Sequence, residues 1–117
     1  MIEIKEVNWL SMDAKEAEVC LYDGSFYIKC FSQPFNNEVI LPLYAINTNN
    51  IKHSYEKTYL VEKIVENFEY RFLGYILDKV KGNIKIGKFI IQLDIPLTKD
   101  IKEKEYISFQ CDRIDIW

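Results

Sequence analysis

A chain of 117 residues has the size of one domain, and can bury roughly two thirds of the surface it exposes when unfolded. With 49% apolar and 28% charged residues it is neither disordered nor fibrous, and a net charge of −3 with two arginines lacks the footprint of a general nucleic-acid binder. Cys20, Cys30 and Cys111 form no CxxC pair and suggest neither a disulfide framework nor a zinc site, so they read as reduced thiols of a cytoplasmic protein.

Residues 1–7 interleave charges with apolar side chains, which is unlike a secretion signal. They read as a strand, but Ile2 and Ile4 share one parity while Val7 and Trp9 share the other, so a bulge is expected near Lys5-Glu6. Next come two alternating runs, 16–22 and 25–31, separated by Asp23-Gly24. Asp-Gly favours a two-residue hairpin turn, because both central residues of a type I′ turn need positive φ. That turn pairs Leu21 with Phe26, Val19 with Ile28 and Ala17 with Cys30 on one apolar face. Cys20 then lies on the other face, near Tyr22 and Tyr27.

Residues 31–37 read as a loop, and 38–46 as a strand interrupted by Pro42, which suggests a sheet edge. Residues 47–54 are a polar loop containing His53. The longest nearly uncharged stretch, 39–51, is far short of the ~20 apolar residues a membrane span requires. Over 58–68, Leu60, Val61, Ile64, Val65 and Phe68 recur at spacings of three and four, which predicts a helix. Strands return at 69–77, then at 84–93 after a turn at 81–83, with a kink at Gly87. After a loop at 96–104, the last strand, 105–116, changes parity near Asp112-Arg113, implying another bulge.

No linker or repeat divides the chain, so a single domain over 1–117 is expected. About six strands with one helix among them predict a mainly β fold, a small barrel or two-layer sandwich, with α+β as the alternative. The order resembles an OB fold, in which a helix sits between the third and fourth strands of a five-stranded barrel. The resemblance spans 17–116 and is one of pattern, without a specific motif, and the extra N-terminal strand departs from it. An OB fold would imply a groove that binds single-stranded nucleic acid.

The strongest charge feature is Lys79, Lys81, Lys85 and Lys88 around the 81–83 turn, with Tyr70 and Tyr75 as aromatic candidates for stacking on bases. Lysines are equally common where strand edges need protection from pairing. Asp94, Asp100, Asp112 and Asp115 lie near strand ends and bulges, but their spacing matches no calcium or magnesium loop. His53 has no nucleophile beside it in sequence. No glycine-rich phosphate loop, GxSxG or HExxH occurs. No cofactor, metal or catalytic residue is therefore assigned. The leading expectation is a regulatory or immunity-type module that binds another protein through its 15% aromatic residues, and the alternative is a nucleic-acid-binding OB-like module.

Overall fold

The computed structural model describes residues 1–64 and 69–117. The hairpin that organises the N-terminal part joins β2 (Glu16–Tyr22) to β3 (Tyr27–Ser32). Its register differs from the sequence reading by two positions, since Tyr22 pairs with Tyr27, Leu21 with Ile28 and Val19 with Cys30. The reversal is centred on Gly24-Ser25, with a positive φ of 101° at Gly24, instead of on Asp23-Gly24. Asp23 is drawn out of the turn because its carboxylate accepts the N–H groups of Ser25 and Phe26, at 2.9 and 2.7 Å. A shift of two keeps every side chain on its expected face, whereas a shift of one would have reversed them all. Ala17, Val19, Leu21, Ile28 and Cys30 are accordingly buried.

Around this hairpin lie β1 (Glu3–Ser11), β4 (Leu43–Ile46), β5 (Asn49–Ser54) and β6 (Leu60–Lys63). The rest of the sheet is β7 (Tyr70–Asp78), β8 (Asn83–Ile86), β9 (Phe89–Gln92), β10 (Tyr106–Cys111) and β11 (Arg113–Ile116). β1 carries the expected irregularity between Ile4 and Glu6. Asp112 marks the expected parity change between β10 and β11.

The fold is mainly β, as expected, but the strands form one open mixed sheet in place of a barrel or two separate layers. Its order is β1-β2-β3-β11-β4-β9-β8-β7-β10-β5, with β6 attached to β7, so among the described residues β1, β5 and β6 each have a strand partner on one side only. Among the described residues there is no helix, and no helix long and apolar enough to cross a membrane. In place of the expected helix over 58–68, Leu60–Lys63 pairs antiparallel with Tyr70–Leu73 of β7; residues 65–68 lie outside the described residues. Leu60 and Val61 match spacings of both three and four with later residues, yet the neighbouring β7 offers backbone partners that local periodicity does not register.

The polar segment 47–54, expected as a loop, contains the edge strand β5, whose Asn49, Lys52, His53 and Ser54 pair with β10. With only Ile51 apolar it gives no alternation signal, and its polar side chains suit a solvent-facing edge. Pro42 precedes β4 and does not interrupt a strand; β4 itself is internal, between β11 and β9. Gly87 produces a hairpin and not a kink, since Ile86 pairs with Phe89 across Gly87-Lys88.

Pairing of Leu43–Ile46 with β11 and of Asn49–Ser54 with β10 runs in one antiparallel direction, and the Asp112 N–H donates to the Ile46 carbonyl where the two ladders meet. Both long strands bend at this joint, so the sheet curls around a single core. Phe35, Phe72, Phe89, Phe109, Ile91 and Ile107 are among its fully buried side chains. The curl brings β3 to β7 although the two are not paired: the Tyr70 hydroxyl accepts the Lys29 N–H at 2.9 Å.

Candidate functional site

The lysine group is spread along the β7–β8–β9 meander. Lys79 and Lys81 sit in the turn after β7, closed by the Gly82 N–H donating to the Lys79 carbonyl, while Lys88 occupies the turn at the other end of β8. Lys85 lies between them on the outer face of β8, directly across from Tyr75. Tyr70 does not join this surface. It is 5% exposed, with its hydroxyl held by Lys29, and burial raises its phenol pKa. Its outward neighbours in sequence alternate with it, so parity alone separates Tyr70 from Tyr75.

Tyr75 has instead Tyr106 of β10 as its cross-strand partner, with the rings edge to face at 5.5 Å. Tyr59 stands 6.1 Å beyond Tyr106. Burial, followed by the proximity of Tyr59, raises the Tyr106 pKa. Lys85, Tyr75, Tyr106 and Tyr59 therefore form one band across the outer face. Sequence reading missed Tyr106 and Tyr59 because the pairing of β7 with β10 joins residues 31 to 41 positions apart, and no local pattern encodes it.

The aspartates are engaged separately. Asp94 accepts the N–H groups of Asn47, at 2.6 Å, and Thr48, at 3.0 Å; burial opposes its ionisation, but these hydrogen bonds outweigh it and hold its pKa below the usual carboxylate range. Asp112 accepts the Asn47 side-chain amide at 2.9 Å, so the two carboxylates share Asn47 without sharing a ligand. Asp115, 5% exposed, receives a two-pronged hydrogen bond from Arg113, whose guanidinium also lies 4.6 Å from the centre of the Phe31 ring. Asp100 accepts the Thr98 hydroxyl. Among the described residues no three His, Cys, Asp or Glu side chains are grouped to hold a metal.

His53, on β5 and not in a loop, pairs through Nε2 with Glu105 at 2.6 Å and meets Tyr55 edge to face. Cys30 and Cys111 are core residues, and Cys20 is half-buried on the opposite face, where the shifted register sets it across from Lys29 while Tyr22 and Tyr27 stack on each other.

A groove of about 400 Å³ opens where β4, β9 and the end of β11 meet. Tyr44, Ile46, Leu93 and Trp117 give it a mainly apolar lining. Tyr44 and Gln92 are register partners, and Trp117 stands edge-on to Tyr44 at 6.2 Å while 75% exposed. No protein-family model, curated protein or solved structure matches this chain. The chain's own surfaces offer an apolar groove with an aromatic rim, and a tyrosine band beside a lysine.

Proposed function

We propose that the chain is a non-catalytic module that recognises another protein, and that the groove between Tyr44, Ile46, Leu93 and Trp117 receives a large apolar side chain of its partner. The observation that carries this reading is Trp117, a large aromatic left three-quarters exposed at the rim of an apolar groove. Trp and Tyr dominate binding energy at interfaces because they bury large areas at small entropic cost. The groove volume also falls in the range of about 300–1,000 Å³ typical of binding clefts.

The test is selection of binders from a random peptide library against the purified protein, followed by affinity measurement with Trp117→Ala. Selected peptides should share an aromatic or aliphatic anchor and bind the variant about tenfold or more weakly, a loss of the size expected for a truncated interface anchor. Peptides that bind both proteins equally would overturn the groove as the recognition site.

A second reading, a module for single-stranded nucleic acid, is favoured by the juxtaposition of Lys85, Tyr75 and Tyr106. Stacking on tyrosine plus phosphate attraction to lysine is how such surfaces work. It requires binding of oligonucleotides that weakens steeply with salt and on Lys85→Glu or Tyr106→Ala.

A further inference from the structure

On the outer face of the β5–β10–β7 sheet, one end carries a polar recess distinct from both surfaces above. Its volume is about 140 Å³, and Asn50, Lys52, Arg71, Ser108 and Gln110 supply its side chains. Register explains the convergence: Lys52 pairs with Ser108, and Gln110 with Arg71, so outward-facing residues of three adjacent strands meet across β10. Asn50, which has a positive φ of 52°, donates its side-chain amide to the Gln110 carbonyl oxygen at 2.9 Å. That bond occupies the acceptor of Gln110 and leaves its NH₂ free to donate. The recess thus offers a guanidinium, an ammonium, a hydroxyl and an amide NH₂. No acid lines it, and neither Arg71 nor Lys52 forms an ion pair among the described residues. Glu62 lies across from Arg71 on β6 but is not within ion-pair distance of it.

Arg71 is partly buried and the carboxylate of Glu62 across from it does not pair with it, so an anion entering the recess would offset the guanidinium's lost hydration. Arginine presents its donors in a planar fork matched to tetrahedral oxyanions, and lysine adds a movable point charge. We infer that this recess is a binding site for a phosphate-type oxyanion, held by Arg71 and Lys52 with Ser108 and Gln110 as neutral donors. The inference is independent of the Trp117 groove, which involves none of these residues.

The probe is inorganic phosphate, titrated into the ¹⁵N-labelled full chain at constant ionic strength maintained with sodium chloride, with a parallel titration of a nucleoside monophosphate. Saturable amide shifts confined to the neighbourhood of residues 50–52, 71 and 108–110 are expected. Lys52→Gln, at an exposed position, and Arg71→Gln should each weaken binding about tenfold or more, while Lys85→Gln should not. Tighter binding of the nucleotide than of phosphate would assign the anion to a nucleotide; equal affinity would assign it to the phosphate group alone. Shifts that do not saturate, that lie elsewhere, or that are unchanged by Lys52→Gln would overturn the assignment.

Discussion

The Asp23 carboxylate accepts the backbone N–H of Lys88 at 2.8 Å, joining two turns that are 65 residues apart in the chain. Asp23 is 2% exposed and its other oxygen holds the Ser25 and Phe26 N–H groups, so one side chain fixes the β2–β3 turn against the β8–β9 turn. The close approach needs Gly87, where φ is +60° and a Cβ would collide with the Asp23 carboxylate. Asp23→Asn places an NH₂ where one of these acceptors stood, facing an N–H. A loss of about 1–3 kcal/mol is expected from the buried group left unsatisfied, read as a lower urea midpoint at unchanged slope.

The same carboxylate makes stability depend on pH. Burial raises the Asp23 pKa, but its three backbone hydrogen bonds prevail and lower it; Asp94 follows the same pattern. A folded-state pKa below the unfolded value of about 3.9 gives stability that is fully present above that value and is lost as pH falls through the folded pKa. Urea unfolding at neutral pH and in acid should therefore show a loss in wild type that is smaller in Asp23→Asn and smaller again when Asp94→Asn is added. Identical pH profiles in all three would remove these carboxylates as its source.

Arg113 and Asp115 form a forked pair over the Phe31 ring. Removal of the arginine leaves a carboxylate that is 5% exposed without its partner, while Arg113 itself is partly solvated, which moderates the cost. Arg113→Lys keeps the charge but loses the fork and ring contact, and is expected to cost about 1–3 kcal/mol. A double-mutant cycle with Asp115→Asn isolates the pair; additive losses would show that the two side chains act separately.

The three thiols should separate by accessibility. Burial pushes the Cys111 pKa up to about 12 and places Cys30 well above the usual thiol range, whereas Cys20, half-buried, is raised by burial and by Glu6. Thiolate is the reactive form, so a disulfide reagent should label Cys20 first and more slowly than free cysteine, with Cys30 and Cys111 labelled only after denaturant is added. Mass spectrometry of the native protein showing Cys111 labelled alongside Cys20 would contradict this order.

Amino-acid order alone determined the features that depend on neighbours a few residues away: the face of each side chain in β2 and β3, the irregularities at Lys5 and Asp112, and the core positions of Cys30 and Cys111. Alternation and turn chemistry act over that range, and even the two-position register shift preserved the faces, because a strand repeats every two residues. Tertiary structure decided what required distant partners. β5 is a strand because β10 supplies hydrogen-bond partners to a polar segment, Leu60–Lys63 is a strand because β7 lies beside it, and the open, curled sheet follows from the bend shared by β4–β5 and β10–β11. The meeting of Tyr75 with Tyr106, and of Lys52 with Arg71 across β10, has the same origin: backbone pairing between remote segments leaves no periodic trace in either one.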